Sequence, residues 1–219
     1  MCAIYKRITK RQCSIARQRA AAIIFDVQKI LKDKYIFSSR LVGSGAWGTM
    51  IEDEKGEYDL DYQLLLTKNS KVYKENSFFD ATNIKEDFIS AFDKVRKEKE
   101  IIQNSTTAIT LINKDEKPYH IDFVIIRILP ENNEIIRRNN KVETPQDNEF
   151  TWNELPRWNE AYSKFKDLSA LERQDLIENY IIPKKALEKA KDEDDKSKIS
   201  SSALFVREVN NYICNHKKK

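Results

Sequence analysis

Between residues 13 and 33 the apolar positions Ala16, Ala20, Ile23, Val27, Ile30 and Leu31 recur at helical spacing, with lysines and arginines between them. That pattern predicts a long amphipathic helix. Tyr35 to Val42 reads as a strand, and Tyr58 to Leu66 as a second one that turns continuously apolar at its end, as an interior strand does. Asn83-x-x-Glu86 has the form of a capping box and predicts a helix to about Lys99, with Phe88, Phe92 and Val95 on its inner face. Thr106 to Ile112 and Tyr119 to Leu129 read as a strand pair joined by the polar turn Asn113 to Pro118. Pro130 to Gln146 is polar, with prolines at 130 and 145, and predicts a lobe boundary. Beyond it the pattern is helical. Ser169-x-x-Glu172 is a capping box, Pro183 suits the first turn of another helix, and Ser200 to Ser202 cap a last helix bearing Leu204, Phe205, Val209 and Ile213. Asp192 to Lys198 reads as a charged linker.

The expected architecture is an α+β fold: a mixed sheet with flanking helices and a small C-terminal helical lobe. Its expected parts are an N-terminal spine helix over 1–34, a core over 35–146 and a helical lobe over 147–219, with the site in the cleft between core and lobe. A chain of 219 residues can bury roughly 70% of its unfolded surface and needs no staples. Hydrophobic residues at 40%, charged residues at 34% and a mean hydropathy of −0.67 describe a water-facing globular surface. The longest apolar stretch, Ala20 to Phe25, is far short of the roughly 20 residues a membrane helix needs, so no membrane partner is expected. Cys2, Cys13 and Cys214 form no metal-binding spacing, and their odd number points to reduced thiols and a cytoplasmic protein.

The net charge of +4 permits an anionic partner without demanding one. Lys6, Arg7, Lys10, Arg11, Arg17 and Arg19 read as the solvated face of a helix, with a track for an RNA or DNA backbone as the alternative. Trp152 and Trp158 read as core or hinge anchors, with base-stacking platforms as the alternative, and His120, on the strand face of Asp122, reads as structural, with a place in the site as its alternative.

The four glycines all fall between Gly43 and Gly56, where average usage would spread about 15 along the chain. The stretch Gly43-Ser44-Gly45-Ala46-Trp47-Gly48-Thr49 therefore reads as a loop whose backbone amides, with the Ser44 hydroxyl, can cradle phosphate oxygens. Asp59 and Asp61 lie two apart on a strand and so share a face. Asp122 stands alone in the apolar run His120 to Ile126, where a carboxylate is costly unless it is paired or binds a cation. Singly, each feature has a structural explanation. Together, three acids on two strands suit two Mg²⁺ or Mn²⁺ ions, which activate a hydroxyl and neutralise a pyrophosphate leaving group.

The order Val42-Gly43-Ser44, Asp59-Leu60-Asp61 and Ile121-Asp122-Phe123 resembles the nucleotidyltransferase superfamily that includes DNA polymerase beta. The long preceding helix, the added Gly48-Thr49 and the helical second half are similar to the cGAS/DncV-like nucleotidyltransferases (CD-NTases) and the oligoadenylate synthases. The resemblance implies a nucleotidyltransferase fold and transfer of a nucleoside monophosphate from an NTP, with ATP first among them, into a cyclic or linear oligonucleotide signal of bacterial anti-phage defence. It implies that Asp59 and Asp61 bridge two ions, that Asp122 serves the ion beside the attacking hydroxyl, and that Gly43, Ser44 and Thr49 hold nucleotide. Within Lys198 to Leu204 it assigns the triphosphate contact to Ser201, with Lys184 on the preceding helix and Lys185 as its rival. An RNA, DNA or protein activator and a homodimer are the further partners it admits. Two departures stand out: Ser202 replaces the tyrosine with which cyclic-nucleotide makers often stack the donor base, and the helical half is short. The first weighs against cyclisation more than against nucleotidyl transfer, and the second implies a less enclosed cleft or one completed by another subunit. The alternatives are the same chemistry directed at tRNA, protein or a small molecule, and a non-catalytic nucleotide- or RNA-binding relative.

Overall fold

The computed structural model describes residues 5–9, 11, 13–66, 80–115, 118–139, 149–155, 159–191 and 197–216. Cys2, Lys10, Trp158, Lys217 to Lys219 and most of the expected linker Asp192 to Lys198 lie outside them, as do residues 140–148 of the expected boundary. Packing divides the chain into two units: one comprises 1–10, 43–58 and 156–219, the other 11–42 and 59–155.

The second unit is built on strands β2 (Phe37–Val42), β4 (Tyr58–Leu66, its first residue apart), β5 (Glu100–Asn104), β6 (Ala108–Asn113), β7 (Tyr119–Arg127), β8 (Glu134–Arg138) and β9 (Phe150–Glu154). They form a seven-stranded mixed sheet in the order β2-β4-β7-β6-β5, with β8 pairing both β7 and β9. Helices α1 (Ser14–Leu31) and α3 (Ala81–Val95) cover it. Strict alternation along β4 buries Tyr58, Leu60, Tyr62, Leu64 and Leu66 and leaves Asp59, Asp61 and Gln63 half-buried on the other face. Strand β7, central in the order, alternates likewise, with Ile121, Phe123 and Ile125 inward and His120, Asp122 and Val124 on the opposite face. Phe92 of α3 stacks on Phe123 at 4.5 Å, and Phe88 meets Phe37 at 5.0 Å.

Several expectations need correction. Helix α3 starts three residues before the proposed box: Asp80 is the cap, its side chain accepting from the Thr82 amide, and the helix ends at Val95, not Lys99. Ile30 is exposed and Ile24 takes the core position, because the inner stripe of α1 follows Ala20, Ile23, Ile24, Val27 and Leu31. The segment 130–138, read as turn-rich, contains β8; its Ile136 is fully buried opposite Trp152 of β9. That hairpin joins residues on both sides of the expected 146/147 boundary to one sheet. Arg19, expected on a solvated face, is buried and bonded to Glu100. Trp152 is a half-buried sheet residue beneath the Arg127 guanidinium, 4.5 Å away.

One buried group in this unit carries a pH signature. Lys85 of α3 is fully buried, its Nζ donating to the Thr107 carbonyl at 2.9 Å and lying 5.4 Å from the Phe150 ring centre. Burial pushes its pKa from the ordinary 10.5 down to about 7, assisted by Arg138 of β8 and opposed by Asp122 of β7. Between those two values the unfolded chain holds more protons than the folded one. Stability therefore rises with pH through that window and lacks this contribution below it. Urea titrations are expected to show the unfolding free energy climbing by a few kcal/mol from pH 6.5 to 9.5. In Lys85→Met that climb is expected to flatten; an equal climb in both proteins would exclude Lys85 as its source.

The first unit holds β1 (Lys6–Arg7), α2 (Gly43–Trp47), β3 (Ile51–Glu52), α4 (Asn159–Lys166), α5 (Ala170–Asp175), α6 (Ile182–Lys189) and α7 (Ser201–His216). Ser169 and Glu172 form the expected capping box. From α5 to α6 the chain is continuously helical through a π-helical turn, Leu176–Ile181, in which the Ile182 amide reaches back five residues to the Ile177 carbonyl. The widened turn precedes Pro183, whose ring lacks the amide and clashes with the carbonyl four residues back in a regular helix. Phe165, Leu176, Ile177, Phe205, Val209 and Tyr212 make the core of this unit.

Candidate active site

The Gly43–Thr49 segment is not an open loop. It is a single helical turn, and its glycines have separate tasks. Gly43 opens the turn at φ 59°, and Gly48 closes it at φ 72°, where the Thr49 amide returns to the Ser44 carbonyl at 3.0 Å. That is a Schellman ending, which favours glycine because the backbone there is left-handed. A Cβ on Gly48 would meet nothing closer than the Arg7 guanidinium at 3.8 Å, so backbone conformation, not space, requires glycine. Trp47 pins the turn into the helical core: its ring stacks on Tyr162 at 5.0 Å and meets Phe165 edge-on at 5.5 Å. Thr49 is buried, and its carbonyl accepts from Lys185 Nζ at 3.3 Å.

In the same unit a cavity of about 430 Å³ is lined by Lys185, Lys189, Lys198, Ser200, Ser201 and Glu188. It lies at the start of α7, where Ser200 caps the helix by accepting from the Ala203 amide at 3.2 Å. Lysines gathered at the amino end of a sixteen-residue helix make an environment suited to phosphate. Of the two rival lysines, Lys185 lines this cavity, whereas Lys184 bonds Glu208 at 2.5 Å. Lys189 escaped the sequence reading, although its four-residue spacing from Lys185 places both on one helix face.

In the sheet unit, β4 and β7 are neighbours and bring Asp59 close to His120, with Nδ1 3.4 Å from Oδ1. His120 thus touches a candidate carboxylate directly. Asp61 lies opposite Val42 in the β2–β4 register, the residue from which the chain passes into Gly43. Asp122 accepts from the Thr110 hydroxyl at 2.5 Å. Burial pushes the Asp122 carboxyl above its usual range; Thr110 opposes this, the charge of Asp59 adds to it, and His120 and Lys85 pull back without prevailing.

Asp59 and Asp122 therefore feel each other's charge across adjacent strands. Among the described residues, no three His, Cys, Asp or Glu side chains are gathered tightly enough to enclose a metal ion. The chemistry of the carboxylates nonetheless fits a hard divalent cation, because like charges that act on each other in partial burial are stabilised by positive charge between them. The sequence missed Thr110; its period-2 alternation in an apolar strand was the available signal.

No helix is long and apolar enough to cross a membrane among the described residues. No family model and no curated protein matches the sequence. Solved structures do. A STING-associated CdnE c-di-GMP synthase from Capnocytophaga granulosa is 18% identical with a TM-score of 0.61, the match covering 96% of this chain and 64% of that one. The Vibrio cholerae DncV cyclic AMP-GMP synthase, solved with the linear intermediate 5′-pppA(3′,5′)pG, is 16% identical at 0.56, covering 92% and 54%. The Bradyrhizobium diazoefficiens CD-NTase CdnG, solved with GTP, is 16% identical at 0.52, covering 95% and 59%. The chain thus spans between about half and two thirds of the length of these structures. With its seven-stranded mixed sheet, flanking helices and helical unit, this chain has the nucleotidyltransferase fold of the CD-NTases.

Proposed function

We propose that this protein is a metal-dependent nucleotidyltransferase that moves a nucleoside monophosphate from an NTP, such as ATP, to a hydroxyl and releases pyrophosphate. The observation that carries the reading is the placement of the carboxylate pair Asp59 and Asp122 on neighbouring strands, with His120 of the Asp122 face touching Asp59, in a sheet whose fold CD-NTases share. An unbound pair of this kind has a cost, and binding a divalent cation turns the cost into affinity. In such a site Mg²⁺ or Mn²⁺ supplies charge neutralisation of the phosphates and acidification of the attacking hydroxyl. Asp59 and Asp61 would hold two ions, with Asp122 serving the one beside the attacking hydroxyl. Gly43, Ser44 and Thr49 would hold the nucleotide. Ser201 would contact the triphosphate, and Lys185, the lysine that lines the α7 cavity, would do so in preference to Lys184.

The product proposed is a cyclic or linear oligonucleotide signal in bacterial anti-phage defence, made in the cytoplasm, with RNA, DNA or a protein as activator and a homodimer as the working form. Support comes from solved neighbours that are described as a c-di-GMP synthase and a cyclic AMP-GMP synthase. The test is incubation of the protein with all four radiolabelled NTPs and Mg²⁺ or Mn²⁺, with products resolved after phosphatase treatment. A phosphatase-resistant small species is the expected result. Label transferred to tRNA or protein instead would select the alternative acceptors. NTP binding with no metal dependence and no turnover, with or without added RNA, would overturn the enzymatic reading.

A further inference from the structure

Thr110 lies directly opposite Asp122 in the antiparallel register of β6 and β7, and cross-strand partners point to the same face. Its Oγ1 donates to Asp122 Oδ1 at 2.5 Å, the short length of a hydroxyl bonded to an ionised carboxylate. Both ends of this bond differ in stiffness. A threonine side chain is restricted at χ1 by its branched Cβ, whereas a carboxylate rotates broadly about χ2. The rigid partner therefore sets the orientation of the mobile one.

Thr110 is itself well held. Strand β6 lies between β5 and β7, pairing Thr110 with Gln103 on its other side. The start of β6 is tied down by Lys85 Nζ on the Thr107 carbonyl at 2.9 Å and by the Ser105 hydroxyl bonding Ala108. Burial and the charge of Asp59 act against the ionised form of Asp122, and the hydroxyl bond acts for it.

We propose that Thr110 is a positioning residue: its hydroxyl commits one Asp122 oxygen to β6 and so orients the other for a divalent cation. The inference rests on the nucleotidyltransferase reading, and the experiment separates the two. Mn²⁺ alone is titrated into wild type, Thr110→Val, Thr110→Ser and Asp122→Asn, and binding is read from loss of the free-ion electron paramagnetic resonance signal. Partners of this kind typically change metal affinity about 10-fold or more when removed. Thr110→Val is expected to weaken Mn²⁺ by about that factor, and Thr110→Ser, which keeps the hydroxyl, to bind within about threefold of wild type. The Mn²⁺ concentration for half-maximal pyrophosphate release is expected to shift in parallel.

If Asp122→Asn weakens Mn²⁺ and Thr110→Val does not, the positioning role is wrong and the carboxylate assignment stands. If Thr110→Ser loses as much as Thr110→Val, the hydroxyl is not what holds the carboxylate and the inference is overturned. If Asp122→Asn binds Mn²⁺ like wild type, the carboxylate assignment itself fails. Should Thr110→Val not fold, Thr110→Ala removes the same hydroxyl without adding an apolar branch and is read against Thr110→Ser in the same way.

Discussion

Replacing Asp122 with asparagine is expected to abolish pyrophosphate release from NTPs while leaving the protein at least as stable as before. The two effects have one cause. Asp122 sits in a sheet face where burial and the charge of Asp59 act against its ionised form. A neutral amide of the same shape relieves that cost and can still accept from Thr110, so the melting temperature is expected to hold or rise. The same change removes a charged oxygen from the proposed metal site, where electrostatic stabilisation amounts to several kcal/mol. That corresponds to roughly a thousandfold or more in rate. Asp59→Asn is expected to lose activity to a similar degree. Its stability should change less, because the Asp59 side chain is 47% exposed and more of its charge is already solvated. The measurement is pyrophosphate release at saturating Mg²⁺, paired with thermal melts. Either variant turning over at the wild-type rate would exclude its carboxylate from the chemistry.

The largest effect on stability is expected at the ion pair of Arg19 and Glu100, which joins α1 to β5. The side chains are 9% and 3% exposed, and the guanidinium makes two parallel bonds of 2.7 Å to the carboxylate. Further partners complete the set: the Val95 carbonyl accepts from Arg19 at 3.0 Å, and the Lys97 amide donates to Glu100 at 2.7 Å. Burial pushes the Glu100 carboxyl up, but Arg19 and the Lys97 amide outweigh it and hold the group below its usual range. The Glu100 bond raises Arg19 in turn. Because the folded Glu100 pKa is depressed, this part of the stability is present above the unfolded carboxylate range and is lost as the pH falls through the folded value.

Removing one partner strands a buried charge and costs about 3–5 kcal/mol, which is a large share of a typical folding free energy. Arg19→Met and Glu100→Met are each expected to lose that much in urea denaturation. The double variant should lose clearly less than their sum, since an apolar pair leaves no charge uncompensated. Additive losses would show that the two residues do not act as a pair.

Local chemistry made much of this molecule legible before folding was considered. The Ser169–Glu172 capping box depends only on residues three apart, and the alternation of Tyr58 to Leu66 only on the strand period of two. Errors came where a partner distant in sequence decided the outcome. Strand β8 is polar by composition and becomes a strand because β7 and β9 satisfy its backbone. Arg19 looks like a surface cation until Glu100, far along the chain, is placed beside it. The clustered glycines read as a loop, yet Gly48 ends a helical turn that Trp47 anchors on Tyr162 and Phe165.

Spacing along the chain was enough for α1, β4, β7 and the Ser169 cap, because periodicity and capping act over a few residues, and it marked Asp59, Asp61 and Asp122 as candidates because they stand out from apolar strands. What surrounds those acids was fixed by long-range pairing. It set Asp122 against Asp59 across two strands, gave it Thr110 as a partner, and turned Lys185 rather than Lys184 toward the α7 cavity. Such pairings depend on strand order and on burial of groups far apart in the chain. Neither is encoded in the spacing of neighbours.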